Sequence, residues 1–180
     1  MLIKLYRTIV ADPPWRYIGT SNSRAVTPYE TMTLGQLVAL PVIDYADDDC
    51  HLWLWTTNAF MEEAHRLQRA WGFKPVTIVT WCKPGPGVGH YVRNNTEHLL
   101  LGSRGRPAVP ENKPISSWYQ WPRGEHSEKP GAAYDLVEQV SQPPFLEIFA
   151  RNQRLGWETW GNEAICHIDL AAKEAKAALS

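Results

Sequence analysis

The run VADPPWRY, residues 10–17, closes an apolar, strand-like segment with a carboxylate, two consecutive prolines and a tryptophan. Asn-Gly or Asp-Gly would make a plain turn under fewer constraints, because they supply positive φ without stiffening the chain that follows. Here the Asp12 carboxylate and the Pro13 carbonyl are acceptors only, and Pro14 pushes Pro13 toward extended backbone. Such a stiff pair of acceptors suits an amino group with two N–H donors, and Trp15 beside it can lie against a flat ring. An aromatic ring bearing an exocyclic amine describes adenine or cytosine. The nitrogen of that amine is a poor nucleophile because its lone pair is delocalised into the ring. Two acceptors that draw its hydrogens out of plane localise the lone pair, and the carboxylate stabilises the positive charge that grows on nitrogen during attack. An electrophile held in line lowers the remaining barrier by up to ~7–11 kcal/mol in well-oriented systems. A sulfonium methyl donor fits this scheme and requires neither a metal nor a covalent intermediate. Taken alone, Asp12-Pro13-Pro14 also satisfies a simple strand-to-loop turn, so the elements around it carry the decision.

Those elements alternate between strand and helix, the order of an α/β protein. Residues 7–11, 51–57, 74–81, 97–103 and 145–151 read as strands. A short helix is expected over 33–40 with Thr33 as N-cap, stopped by Pro41. A longer one is expected over 58–72, with Asn58 as cap and Gly72 at its C-terminal stop. Residues 130–140 read as a helix with Pro130 at its first position, and the Ala-rich tail from 165 to 179 as another. Two Pro-rich polar segments, 18–31 and 104–129, fit neither pattern. Loops of that length usually carry function or are disordered, and on an open α/β sheet they are expected over the strand ends, where ligands bind. The glycine-rich GPGVG at 85–89 lacks the strand-turn-helix context of a phosphate cradle and reads as a hinge or substrate loop.

The chain of 180 residues fits one domain, here taken as 1–180, large enough to fold on its own core. Cys50, Cys82 and Cys166 form no close pair, so a reduced, cytoplasmic setting is expected, with neither a disulfide framework nor a metal site. No stretch of 18 apolar residues occurs, and no membrane contact is expected. The net charge of −1 gives no general surplus for phosphate. Between residues 83 and 129, however, seven Lys or Arg face four Glu. Nine tryptophans serve as core or as stacking faces. The six histidines, His126 among them, read as structural or surface residues.

Seven further blocks accompany VADPPWRY: PYETM (28–32), LWLWTTNAF (52–60), GFKPVTIVTWCK (72–83), NTEHLLLGSRG (95–105), HSEKP (126–130), LEIFAR (146–151) and GWETWGNE (156–163). Together and in this order, from Thr8 to Glu163, they resemble the MT-A70 family of S-adenosylmethionine-dependent N6-adenine methyltransferases, in its short bacterial and phage form. The resemblance implies a Rossmann-like class I methyltransferase fold, permuted so that the DPPW motif precedes the cofactor-binding strand. It implies that Asp12 and Pro13 hold the target amine, that Pro14 belongs to the same catalytic motif, and that Trp15 shapes the base pocket under a loop carrying Tyr29. Trp81 and Glu97 match positions lining the target or cofactor cleft. Lys129 is implied at the methionine end of the cofactor or the reacting centre, Arg151 at its ribose with Asn152 and Gln153 as further contacts, and Asn162 and Glu163 at its nucleoside. Only eleven residues precede Asp12, so the upstream adenine contact of longer relatives is not matched here.

The expected reaction is methyl transfer from S-adenosylmethionine, without a metal, to the N6 amine of adenine in DNA. The same reaction on RNA, transfer to cytosine N4 and a non-catalytic nucleic-acid-binding subunit are the alternatives. Arg104, Arg106, Lys113 and Arg123, interleaved with Trp118 and Trp121, are the expected backbone and stacking contacts. The modest charge points to a homodimer or a second subunit that pools basic surface.

Overall fold

The computed structural model describes residues 4–16, 30–85, 87, 89, 91–110, 114–124, 128–162 and 164–170. Strand β1 (Tyr6–Ala11) is followed by α1 (Leu34–Ala39), β2 (Ala46–Thr57), α2 (Met61–Ala70), β3 (Lys74–Cys82) and β4 (Thr96–Arg104). The chain continues through β5 (Trp118–Tyr119), α3 (Gly131–Val140), β6 (Phe145–Ile148) and β7 (Trp157–Trp160). Among the described residues seven strands form one sheet, in the order β5-β3-β4-β2-β1-β6-β7. β1 pairs in parallel with β2 and β6, and β7 with β6, whereas β4 runs antiparallel between β2 and β3. The α/β expectation holds.

The central strand shows how the sequence selects this architecture. β2 has partners on both edges, and its residues from Cys50 to Thr56 are buried. Such a strand must be apolar on both faces, and HLWLW meets that need. Leu52 and Leu54 join Leu37 of α1 and Leu67 of α2 in one cluster, while Trp53 and Trp55 join Ala133, Leu136 and Val137 of α3 in the other. Helices therefore cover both faces of the sheet.

Helix boundaries follow local chemistry. Thr33 caps α1 in a reciprocal box with Gln36, each side chain accepting from the other's backbone N–H, at 3.3 and 2.9 Å. Thr33→Ala should therefore lower stability by about 1 kcal/mol, read as a fall in Tm. Gly72, at φ 85°, ends α2 with Gly72 N donating to Arg69 O and Phe73 N to Gln68 O, the paired bonds of a Schellman stop.

Several boundaries differ from those expected. Asn58 does not cap α2 with its side chain: it opens a 3-10 turn (Asn58–Phe60), and its amide bonds Thr96 and His98 instead. Pro130 is the N-cap of α3 rather than its first residue. β6 stops at Ile148 because Phe149 turns to φ 67°. Two elements not expected from the sequence are β5, which organises part of the 104–129 segment, and β7. Residues 165–170 contain no helix, and the rest of the tail lies outside the described residues, as do 17–29 of the first long segment. Among the described residues no helix is long and apolar enough to cross a membrane.

Candidate active site

The C-terminal ends of β1, β2 and β6 lie at one end of the sheet, and the antiparallel course of β4 brings its first residues there too. A pocket of about 320 Å³ opens at this end, lined by Asp12 to Trp15 after β1, Thr56 and Thr57 of β2, and Glu97 of β4. Phe149, Ala150 and Arg151 after β6, together with Glu30, Lys129 and Asn162, complete its walls. Parallel strand ends are the usual ligand crevice of an open α/β sheet, and the volume falls at the lower end of small-molecule sites.

The charged floor is organised around Lys129. Its Nζ donates to Asp12 Oδ2 at 2.7 Å, lies 3.5 Å from Glu97 Oε2, and sits 5.4 Å from the ring centre of Trp55. Burial by itself lowers the pKa of Lys129, but the Asp12 and Glu97 carboxylates outweigh it and the net shift is upward. The ammonium is therefore charged at neutral pH. Glu97 is shared with Lys83, whose Nζ also lies 4.5 Å from the ring centre of Trp81. Two carboxylates and two ammoniums thus balance in a largely desolvated corner.

The acceptor pair is partly engaged within the chain. Pro13 O accepts from Trp15 N at 2.8 Å, an i to i+2 bond that fixes a γ-turn over Pro14. A carbonyl has two lone pairs, so one remains for an amine. Asp12 likewise has a second oxygen beyond the one held by Lys129. Pro14 O accepts from Met32 N at 2.9 Å, which ties the motif to the segment entering α1. Trp15 is buried, donates Nε1 to Trp55 O at 3.2 Å and stacks on Phe60 with ring centres 5.4 Å apart. The bond and the stack fix the plane of the indole as a wall of the pocket.

The structure brings Asp12, Pro13, Pro14, Trp15, Glu97, Lys129, Arg151 and Asn162 together around one pocket. Others lie elsewhere. Trp81 is 2% exposed, bonded through Nε1 to Trp121 O, and packs edge-on against Trp55 behind the charged corner. Trp121 is buried and stacked on Tyr119, so it is a core ring rather than a stacking face, whereas Trp118 is 59% exposed on the edge strand. Asn152 and Gln153 are exposed and do not line the pocket. Arg123 is exposed after Trp121.

Arg104 and Arg106 require a correction. Arg104 pairs in register with Cys50 in the N-terminal half of β2 and bonds Asp48, while Arg106 N donates to Asp49. Seven residue steps along the strand separate Arg104 from Glu97, about 24 Å. The two arginines occupy the opposite end of the sheet, and the 104–129 segment begins there. Tyr29, Lys113 and Glu163 lie outside the described residues.

Thr56, Thr57, Glu30 and Phe149 line the pocket without having been singled out in the sequence. Phe149 adopts the left-handed region, which costs a residue with a side chain roughly 1–2 kcal/mol. The bond from Ala150 N to Trp160 O, at 3.0 Å, and the edge contact of Phe149 with Trp160 hold it there. A strained backbone at a pocket wall marks a position that the fold over-determines.

An open α/β sheet with this arrangement at its strand ends has the build of a methyltransferase. The chain matches the MT-A70 family over residues 6–163 and belongs to that family of methyltransferases. It is 33% identical to the type II methyltransferase M.MunI of Mycoplasma sp, over 89% of this chain and 78% of that one. It is 31% identical to a probable N(6)-adenosine-methyltransferase MT-A70-like protein of Oryza sativa subsp. japonica, over 88% of this chain and 23% of that one. With the N(6)-adenosine-methyltransferase catalytic subunit METTL3 of Homo sapiens the identity is 27%, over 88% and 28% of the two chains.

Proposed function

We propose that the protein transfers a methyl group from S-adenosylmethionine to the N6 amine of adenine in DNA. The observation that carries this reading is the Asp12 carboxylate, held by Lys129 beside the Pro13 carbonyl and against the Trp15 wall. When bound, S-adenosylmethionine supplies an electrophilic methyl group. The lining residues suit such a cofactor: Lys129 offers a cation for its carboxylate, and Arg151 and Asn162 offer donors for its ribose and base. Glu163, which lies outside the described residues, is proposed as a further nucleoside contact.

Asp12 and Pro13 act on the substrate. Their acceptors orient the two amine hydrogens, localise the nitrogen lone pair, and stabilise the charge that develops on it. In duplex DNA the base must leave the stack, at a cost of a few kcal/mol that stacking at roughly 1–3 kcal/mol per base offsets. Exposed Trp118 is proposed as a stacking face and Arg123 as a backbone contact.

DNA is favoured because the type II methyltransferase is matched along most of both chains. The N(6)-adenosine-methyltransferases are matched over about a quarter of theirs, and they support RNA as the second reading. Incubation with duplex DNA, single-stranded DNA and RNA, followed by nucleoside mass spectrometry, separates the two. N6-methyladenine in a DNA pool alone supports the first reading, and in the RNA pool alone the second. Product in neither pool, with cofactor binding demonstrated, counts against catalysis by this chain on its own.

Charge reversal at both Arg104 and Arg106 should leave nucleic-acid affinity within about twofold, because the Arg104 side chain pairs with Asp48, the Arg106 backbone is tied to Asp49, and both lie at the end of the sheet far from the pocket. A loss of the size expected for two phosphate contacts, measured by titration across salt concentrations, would contradict that placement.

A further inference from the structure

Glu147 is a buried carboxylate that the proposed reaction leaves unused. It lies on β6 opposite Val10 of β1 and is 7% exposed. Its Oε1 accepts a 2.5 Å hydrogen bond from the Tyr134 hydroxyl of α3. Tyr134 is packed in turn by the edge of Trp157 at 5.5 Å and by the Arg154 guanidinium at 4.4 Å from its ring centre. Arg154 also reaches Gly131 O at 3.5 Å, so the same side chain braces the first residue of the helix.

Tyr134 stands in the first turn of α3, and Lys129 immediately precedes the Pro130 cap, whose carbonyl accepts from Ala133 N at 2.9 Å. These contacts close a ring. It runs from Glu147 to Tyr134, back along the helix start to Lys129, and across 2.7 Å to Asp12. From Asp12 it returns to β6, where Asp12 N donates to Ile148 O at 3.3 Å and Ala11 pairs with Ile148.

We propose that Glu147 and Tyr134 are positioning residues whose hydrogen bond fixes the start of α3 and so holds Lys129 against Asp12, with the charge on Glu147 setting how firmly it does so. The inference rests on the site being a methyl-transfer centre. Four groups face Glu147: Tyr134 from α3, Asp12 from the end of β1, Lys129 ahead of α3 and Arg154 ahead of β7. Burial is the largest influence and pushes the carboxyl up to about 7. The Tyr134 bond opposes that rise, Asp12 adds to it, and Arg154 and Lys129 oppose it. The Tyr134 hydroxyl is itself pushed upward, by burial first and then by Glu147, so it remains a donor throughout the neutral range. A hydrogen bond to an ionised carboxylate is roughly twice as strong as one between neutral partners. Protonation of Glu147 therefore loosens the ring.

Two variants separate this role from plain packing. Glu147→Gln keeps an acceptor but cannot ionise, whereas Tyr134→Phe removes the donor through which the charge acts. Two quantities are measured across the neutral range: kcat at saturating substrates, and affinity for S-adenosylhomocysteine by calorimetry. Wild-type kcat should rise about tenfold between about pH 6 and pH 8, as expected when only the ionised form is competent. Glu147→Gln and Tyr134→Phe should both flatten that rise, because neither leaves a bond that ionisation at position 147 can strengthen. Affinity for S-adenosylhomocysteine should follow the same profiles, because Lys129 lines its pocket. Glu147→Gln should also raise Tm at alkaline pH. A carboxyl whose folded pKa is raised contributes stability below the ordinary carboxylate range that is lost as pH rises through its folded value. Wild-type profiles in both variants, with Tm alone altered, would overturn the proposal. pH-dependent S-adenosylhomocysteine binding that Glu147→Gln abolishes, in a protein that methylates no nucleic acid, upholds the ring and retires the methyl-transfer reading.

Discussion

Replacing Asp12 with Asn is expected to lower kcat by about 10²–10³-fold, the size of effect seen when one preorganised electrostatic group is removed from a reacting centre. The substitution preserves shape, so the pocket walls and the γ-turn over Pro14 should remain. What changes is the charge, and one acceptor oxygen becomes an NH2 donor. That donor faces either the Lys129 ammonium or the substrate amine, and in either orientation donor meets donor. Because the lost interaction strengthens only as charge develops on nitrogen, the effect should fall on kcat more than on KM. Single-turnover rates with the substituted protein check this, and an unchanged kcat with a raised KM would assign Asp12 to binding alone.

Lys129→Met is expected to damage stability and activity together. Lys129 Nζ sits among Asp12, Glu97 and the Trp55 ring, with its side chain 11% exposed. Breaking a buried pair by removing one partner costs about 3–5 kcal/mol. Asp12 retains 25% and Glu97 18% side-chain exposure, and Lys83 still answers Glu97, so the expected loss is nearer 2–3 kcal/mol. For a chain of this length that corresponds to a fall in Tm of roughly 5–10 °C. Activity should fall by about 100-fold or more, because Asp12 loses the contact that orients it. Thermal melts and kcat/KM of the one variant measure both effects. Wild-type activity despite the lower Tm would make Lys129 a structural residue only.

Much of this site was readable from residue chemistry. Asp12-Pro13-Pro14-Trp15 announced itself because two prolines after a buried strand constrain backbone at a place where a turn needs no such stiffness. Lys129 and Glu97 came from motif blocks, and their meeting follows from the sheet: β4 must start where β1 and β2 end. The failures share a physical cause. Arg104 reads as a nucleic-acid contact because linear order does not disclose that β4 runs antiparallel, which carries its last residue to the end of the sheet away from the pocket. Trp118 and Trp121 are indistinguishable by type, yet one is exposed and the other is packed against Tyr119. Phe149 was hidden because positive φ is anticipated at glycine, not at an aromatic residue. Glu147 sat inside the apolar run FLEIF, and its partner lies thirteen residues away on another element.

The pH behaviour of Glu147 gives the fold a tension between stability and function. Its neutral form suits the buried setting, while its charged form grips Tyr134 more strongly and steadies Lys129. Active sites commonly hold such a group at some expense to stability.

The most direct measurement is a crystal structure with a bisubstrate analogue that joins the N6 of adenosine to the methionine end of the cofactor. The account predicts N6 within hydrogen-bonding distance of both an Asp12 carboxylate oxygen and the Pro13 carbonyl, with the adenine ring against Trp15. An adenine seated elsewhere in the pocket, its N6 out of reach of Asp12, would contradict it.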